Sequence, residues 1–277
     1  MLRFYHSFNA ALYAATEKAG ILIDGIFNGK KVGVSDMDLD VYDMILEKKG
    51  IFANLSGVLF THLHPDHFDA DLTERLLSEH PDLRAPGLSH LPALLEDGQL
   101  PGPSGISGDQ QQKNRAALYD LYGTSYAGWT LDTKKERQIQ FQDLSVMLLP
   151  ARHDGDAFTA VPHQSMIVSS GIQSWFIAGD AQVSASLAYE ASFYANSGSF
   201  TGIFINPLQL ASPGGREFLS LLPAEQIYIY HLPLPEDDIF SYERTAHSFC
   251  VKMSAEFPNI CLAGHMSYIR PGSPNKK

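Results

Sequence analysis

The nine residues Thr61–Asp69, with the sequence Thr-His-Leu-His-Pro-Asp-His-Phe-Asp, constrain the fold of this chain more than any other segment. His62 and His64 are two positions apart, so an extended strand end would place both imidazoles on the same side. After Pro65 the strand geometry is lost, so the side chains of Asp66 and His67 can approach the same site from the side opposite to His62 and His64. The segment therefore predicts a centre with room for two metal ions.

Imidazole nitrogens and carboxylate oxygens are the ligands of borderline divalent metals. Zinc is the first expectation, and manganese and iron are alternatives. A lone histidine is more often a hydrogen-bonded core or surface residue than a ligand. Four ligand-type residues within six positions, His62 to His67, reverse that preference.

Composition limits the partners of such a centre. The 277-residue chain has a formal net charge of −11 and no dense run of lysine or arginine, so we expect a small-molecule substrate rather than nucleic acid. Residues 1–15 lack the features of a secretory signal, and no apolar run approaches the roughly 18 to 20 residues that span a bilayer. We therefore expect a cytoplasmic protein with no membrane partner, in which Cys250 and Cys261 are free thiols.

Strand and helix patterns alternate along the chain and favour one layered α/β domain covering residues 1–277. Asp40–Lys48, Asp71–His80 and Ser241–Phe257 have the helical period. Short apolar or alternating runs predict strands at Leu2–Tyr5, Ala11–Ala15, Gly20–Asp24, Gly57–Thr61, Ile139–Phe141, Leu144–Leu149, Ser165–Ser169, Trp175–Ala178, Gly202–Ile205, Gln226–Tyr230 and Ile260–Ala263.

A less regular segment, residues 71–137, is predicted to be a helical and loop insertion. Its Gly- and Pro-rich part, Gly98–Gly108, indicates a surface loop, followed by a helical piece around Gln110–Tyr122. An ordinary connector is the preferred interpretation of this loop, and a lid over the site is the alternative.

The motif at His62, His64, Asp66 and His67 matches His-x-His-x-Asp-His, and in this the sequence resembles the metallo-β-lactamase-fold superfamily. The resemblance implies a four-layer αββα sandwich of two mixed β-sheets, with two metal ions at one edge. It covers roughly Leu2 to Tyr268 and is weakest between Asp71 and Gln138.

Three further ligands are implied by this resemblance. His153 follows a predicted strand and resembles the third ligand of the first ion, and Asp180 ends a strand in Gly-Asp and resembles the bridging carboxylate. His231, directly behind another strand, is preferred as the last ligand, with His265 and His247 left as alternatives.

One ion would thus be held by His62, His64 and His153, and the other by Asp66, His67 and His231, with Asp180 between them. Asp24 corresponds to an early strand-end aspartate that supports a ligand histidine from behind.

The resemblance favours a hydrolase of a small ester, lactone or phosphoester, in which a metal-activated water is oriented by Asp66. His163 is a candidate proton donor, but a structural hydrogen bond within a loop is the preferred interpretation of this residue. A non-catalytic metal-binding sensor or partner-binding module on the same fold is the alternative function. A homo-oligomer stays open, because homodimers are common among such enzymes.

Overall fold

The computed structural model describes residues 1–90, 129–133 and 137–269. The predicted loop Gly98–Gly108 and the predicted helical piece Gln110–Tyr122 lie outside the described residues. Within the described ranges, no helix has the length and hydrophobicity needed to cross a membrane.

The first sheet gathers the amino-terminal strands and one strand from the other end of the described chain. Its order is β14-β1-β2-β3-β4. Strands β3 and β4 are parallel, so their carboxyl ends meet at the same edge. The strands are β1 (Arg3–His6), β2 (Leu12–Ala15), β3 (Gly20–Ile23), β4 (Leu55–Leu59) and β14 (Ser267–Ile269).

The second sheet has the order β13-β12-β11-β10-β9-β8-β7. Strands β10 to β13 are parallel to one another, and β9 is antiparallel to both β8 and β10, so β8 points the same way as β10. The carboxyl ends of β8, β10 and β12 therefore share one edge. The strands are β7 (Gln138–Phe141), β8 (Leu144–Ala151), β9 (His163–Ser170), β10 (Gln173–Ile177), β11 (Gly202–Ile205), β12 (Ile227–Ile229) and β13 (Ile260–Leu262).

Three strands and three helices of the described chain were not predicted from the sequence pattern. Strands β5 (Leu88–His90) and β6 (Trp129–Leu131) form a small antiparallel pair within the predicted insertion. The sequence analysis also placed the last strand at Ile260–Ala263, whereas β14 follows it and pairs with β1. The helices are α1 (Leu39–Leu46), α2 (Ala70–Glu79), α3 (Ala185–Ser192), α4 (Pro207–Ala211), α5 (Pro213–Leu221) and α6 (Tyr242–Met253), of which α3, α4 and α5 were missed.

Helix α5 shows why local propensity failed. It begins Pro213-Gly214-Gly215, and glycine destabilises a helix interior by roughly 1 kcal/mol relative to alanine. A Cβ on Gly214 would lie 2.6 Å from the carbonyl oxygen of Val183, and one on Gly215 would lie 2.2 Å from that of Gln209. The glycines thus permit close backbone packing, and this tertiary contact outweighs their poor helix propensity.

Three hydrophobic clusters separate four layers. In β10, Trp175 and Ile177 point between the two sheets, whereas Phe176 points to the opposite face and packs among residues of α3, α5 and α6. In β3, Ile21 and Ile23 face the second sheet, whereas Leu22 packs toward α1 and α2. The predicted αββα sandwich is confirmed by this alternation.

We predict that Phe204→Ala lowers the free energy of unfolding by about 3–5 kcal/mol, because it leaves a cavity between the sheets. Phe204 is fully buried, and its ring lies 5.6 Å from that of Trp175 and 5.5 Å from that of Tyr228. Urea denaturation measures the change. The matched control is Phe193→Ala, at a side chain that is 68% exposed, with an expected change within about 0.5 kcal/mol. Equal losses in both variants would contradict this packing.

Candidate metal centre

The strand ends of both sheets converge on one edge and bring all eight predicted site residues together. Asp24 follows β3, and the Thr61–Asp69 segment follows β4 in the first sheet. His153, Asp180 and His231 follow β8, β10 and β12 in the second sheet. Because the sheets pack face to face, side chains from two sets of strand ends meet there.

Three groups of candidate metal ligands occur in the described residues. The first consists of His62, His64 and His153, the second of His62, His67 and Asp180, and the third of Asp66, His67 and His231. Within each group the ligand atoms lie within 4.8 Å of one another. The first and third groups have the same members as the two ligand sets predicted from the sequence.

Asp180 lies between those two sets. Its Oδ2 atom is 3.8 Å from Nε2 of His62, 3.8 Å from Nε2 of His153 and 3.6 Å from Nε2 of His67. Its Oδ1 atom is 3.6 Å from Nε2 of His231. The carboxylate is thus placed where it can contact ions on both sides.

The alternative last ligands lie elsewhere. His247 is exposed on α6, and the ring of His265 lies beside the ring of His6, with 5.9 Å between centroids. Neither belongs to a candidate ligand group in the described residues. His231 instead lies with its Nε2 atom 2.9 Å from Nε2 of His67 and 3.5 Å from Oδ2 of Asp66.

A turn and a helix cap compress the motif into a small volume. The carbonyl of His64 accepts hydrogen bonds from the backbone amides of His67 and Phe68, at 2.9 and 2.8 Å. The next residue, Asp69, accepts a hydrogen bond through its side chain from the amide of Leu72 and caps α2. Asp69 is therefore occupied as a helix cap, and Asp66 is the aspartate of the motif that faces the cluster.

Asp24 is fully buried behind His67. Its Oδ2 atom lies 3.0 Å from Nδ1 of His67 and also accepts a hydrogen bond from the hydroxyl of Thr61 at 2.7 Å. Its Oδ1 atom accepts a hydrogen bond from the amide of Thr61 at 2.7 Å. A carboxylate at Nδ1 fixes the ring orientation and leaves Nε2 directed at the cluster. This is the supporting position that the sequence analysis gave to Asp24.

The Gly179–Asp180–Ala181 turn is held by buried side chains from several elements. The amide of Gly179 donates to the hydroxyl of Tyr230 at 3.1 Å, and the amide of Asp180 donates to Nε2 of His163 at 3.0 Å. His163 is thus engaged in a structural hydrogen bond, which is the interpretation preferred from the sequence.

A capping box at the start of α4 supports the same turn from the other side. The Nδ2 atom of Asn206 donates to Oδ1 of Asp180 at 2.9 Å, and Nε2 of Gln209 donates to the carbonyls of Gly179 and Ala181 at 2.9 and 2.8 Å. The two side chains also bond each other's backbone amides. Sequence reasoning missed both residues, although Asn206-Pro207-Leu208-Gln209 directly after a buried strand carries the capping-box pattern.

Gly179 is required by close approach as well as by conformation. Its φ of +60° lies in the left-handed region, and a Cβ atom would lie 2.8 Å from Nε2 of His163 and 2.8 Å from Cβ of Thr61. Any side chain at this position would push apart the two sheets where the cluster forms.

The electrostatics of the cluster fit divalent cations. Burial, followed by the neighbouring imidazoles, lowers the pKa of His62 and of His64 well below the usual value, so both rings are neutral at neutral pH. The Nε2 atoms of His62 and His153 are buried and have no hydrogen-bond partner in the described part of the chain. Such a nitrogen costs about 1–3 kcal/mol unless another group contacts it. Neutral imidazoles with unsatisfied nitrogens beside carboxylates are a suitable donor set for zinc-like ions.

The pKa of His67 is shifted in the opposite direction to those of His62 and His64. Burial lowers its pKa, but the carboxylates of Asp24, Asp66 and Asp180 outweigh burial and raise it well above the usual value. Burial raises the pKa of Asp180, whereas His231, His67 and His153 lower it, and the net direction is down. The two acidic ligand side chains and Asp24 thus favour a positive charge at this position, whether a proton or a metal ion supplies it.

The cluster forms the floor of a cavity of about 550 Å³ that is open to solvent. His64, Asp66, His153, Asp180 and His231 all line it. Tyr242, which the sequence analysis did not single out, also lines the cavity. Burial, then the charges of Asp180 and Asp66, raise the pKa of its phenol, so the hydroxyl is protonated at neutral pH. Its position at the start of a helix gives no sequence signal of a site residue.

Comparison with solved structures identifies this architecture. YhfI from Bacillus subtilis, described as a metallo-β-lactamase fold protein, superimposes with a TM-score of 0.53 over 98% of this chain and 100% of that chain, at 10% identity. The chain has the metallo-β-lactamase fold. An isothiocyanate hydrolase from Delia radicum gut bacteria also shares the metallo-β-lactamase fold, with a TM-score of 0.58 at 13% identity over 97% of this chain and 98% of that chain.

A third protein of similar fold is longer. The diiron β-hydroxylase CmlA from Streptomyces venezuelae superimposes with a TM-score of 0.55 at 13% identity, over 97% of this chain but only 54% of that chain. This chain therefore spans about half the length of CmlA. Comparison of the sequence with protein-family profiles and with curated proteins finds no match.

We predict that the purified protein, reconstituted with zinc and dialysed, binds about two equivalents of metal, and that His153→Ala loses about one of them. His153 belongs to one candidate ligand group only, so its removal weakens one site more than the other. Elemental analysis by mass spectrometry measures the content. The control is His247→Ala, which removes an exposed histidine on α6 and retains both equivalents. Less than one equivalent in the wild-type protein would overturn the assignment of the centre.

Proposed function

We propose that this protein is a metal-dependent hydrolase that uses a dinuclear centre to cleave a small ester, lactone or phosphoester. The observation that carries the proposal is the position of the ligand cluster: the three ligand groups overlap at His62 and His67, and their other members line the floor of a solvent-accessible cavity. When bound, two divalent ions lower the pKa of a water molecule and polarise the bond under attack.

The residues of the chain divide the remaining tasks. His62, His64 and His153 would hold one ion, Asp66, His67 and His231 would hold the other, and the carboxylate of Asp180 lies near both sets of residues. Asp66 lies at the cavity surface and orients the attacking water through its carboxylate. The phenol of Tyr242 donates a hydrogen bond to the oxygen on which charge develops, since burial and the nearby carboxylates keep it protonated.

Hydrolysis is preferred to oxidation on the basis of the donor set. The three ligand groups contain imidazoles and aspartates and no glutamate within the described residues. Zinc is the preferred metal for such ligands, with manganese and iron as alternatives. Because one protein of this fold is described as a diiron β-hydroxylase and another as an isothiocyanate hydrolase, metal analysis must precede the assays, and an isothiocyanate belongs among the test substrates.

The alternative is a metal-binding module without catalytic activity. A blocked site would favour that function, but the cavity above the cluster is open in the described part of the chain. The hydrolase is therefore the better-supported proposal.

The test is a panel of carboxylic esters, lactones, phosphoesters and isothiocyanates, assayed before and after metal depletion. We expect turnover of at least one class that a chelator abolishes and added metal restores. His64→Ala and Asp180→Asn should abolish it, because each removes a ligand, whereas His247→Ala should retain wild-type turnover. Circular dichroism checks that the variants fold. Full metal occupancy without turnover across the panel would favour the non-catalytic module.

Tyr242→Phe is expected to lower kcat about 10- to 100-fold with unchanged metal content, because it removes one hydrogen-bond donor to the developing charge. The matched control is Tyr189→Phe on α3, where the side chain is exposed and lies outside the residues that line the cavity. Steady-state kinetics on the substrate found above measure both. An unchanged kcat in Tyr242→Phe would remove this residue from the proposed mechanism.

A further inference from the structure

The walls of the cavity above the cluster differ in character from its floor. The floor is made of imidazoles and carboxylates, whereas the walls are mainly hydrophobic. Phe158 lies beside the floor, with its ring centroid 5.1 Å from the rings of both His64 and His153. The hydrophobic wall, as defined here, consists of Val32, Val34, Phe158, Pro207, Leu208 and Phe240.

The rim of the cavity exposes large hydrophobic side chains to solvent. Leu208, on the first turn of α4, is 52% exposed, and Phe240, just before α6, is 53% exposed. Ile239, the neighbour of Phe240, is 71% exposed, and its Cδ1 atom and the ring of Phe240 both lie next to Gly33, between Val32 and Val34 of the hydrophobic wall. Single exposed hydrophobic residues are common on protein surfaces, but several around one opening mark a binding surface.

The charges around the cavity do not form an anion site. Among the described lining residues, Lys31 is the only lysine or arginine, whereas Asp66, Asp154 and Asp180 are acidic. Phosphate groups are typically bound by arginines, lysines or free amides at helix starts. At the start of α4, the amide of Gln209 already donates to the side chain of Asn206. Beyond the ions themselves, the walls thus offer contacts to a neutral apolar group.

We propose that the hydrophobic wall is a subsite for an apolar substituent of the substrate, and that the preferred substrate class is a small neutral ester with an alkyl or aryl acyl group. The proposal rests on the hydrolase function, because the reacting carbonyl must reach the cluster while the acyl group lies against Phe158 and Phe240. A phosphoester with a polar alcohol makes none of these contacts and is the disfavoured class.

The first experiment compares p-nitrophenyl esters of straight-chain acids from acetate to octanoate on the metal-loaded protein. We expect kcat/KM to rise about two- to fourfold for each added methylene until the wall is covered, since each one buries apolar surface. Phe240→Ser should flatten this dependence. The matched control is Phe193→Ser, an exposed phenylalanine outside the cavity lining, which should retain the wild-type dependence on chain length.

A second experiment tests the subsite without turnover. Binding of the corresponding carboxylates, acetate to octanoate, is measured by calorimetry on the metal-loaded wild-type protein, Phe240→Ser and Phe193→Ser. We expect affinity to rise with chain length in the wild type and in Phe193→Ser only. Rising affinity without turnover of any class in the substrate panel overturns the hydrolase function and retains the subsite. Affinity and kcat/KM that are both independent of chain length overturn the subsite, and a cavity filled by another part of the chain would give that result.

Discussion

The structure depends on an electrostatic constraint at one edge of the sandwich. Three carboxylates and five cluster histidines are gathered there: Asp24 is fully buried, and Asp66 and Asp180 are partly buried at the floor of the cavity. Carboxylates in such surroundings need positive charge, and burial keeps rings such as His62 and His64 neutral, so these imidazoles do not supply it. Divalent cations would resolve the conflict, since they can bind imidazole nitrogens and carboxylate oxygens together. Metal affinity and the docking of the two sheets are therefore linked, because the ligands come from both.

Support for this arrangement comes mainly from neutral polar groups. Asn206, Gln209 and Tyr230 hold the turn of Asp180 through hydrogen bonds to its backbone and carboxylate. Neutral donors hold the carboxylate in place without neutralising its negative charge. An arginine in their place would also hold it, but its positive charge would compete with a bound cation. Asp24 is the exception, and it acts on the far nitrogen of His67, where a negative charge strengthens the ring as a ligand.

The sequence predicted the site better than it predicted the fold's outer helices. His62 to His67 are dense in one segment, and His153, Asp180 and His231 each follow a strand whose apolar residues are evident, so the edge they share could be inferred. The capping box of Asn206 and Gln209 is visible in the sequence, but their support of the Asp180 turn could not be inferred, because that turn lies about 30 positions away along the chain. Helix α5 was missed because its Gly214 and Gly215 are explained only by contacts with Val183 and Gln209. Short-range patterns do not contain such contacts.

The division between floor and wall bears on how a protein of this kind changes over evolutionary time. The candidate ligands follow strand ends whose turns are held by hydrogen bonds from buried side chains, so we expect most substitutions around them to disrupt the centre. Val34 and Phe240 lie on connecting segments, and Val32 and Phe158 each end a short 3-10 helix, so all four lie outside the β-sheets and α-helices, where substitutions are better tolerated. If the proposed function holds, mutation at these positions changes which acyl groups are bound while the ligand cluster stays the same. The cavity is in this sense two modules, one fixed and one free to diversify.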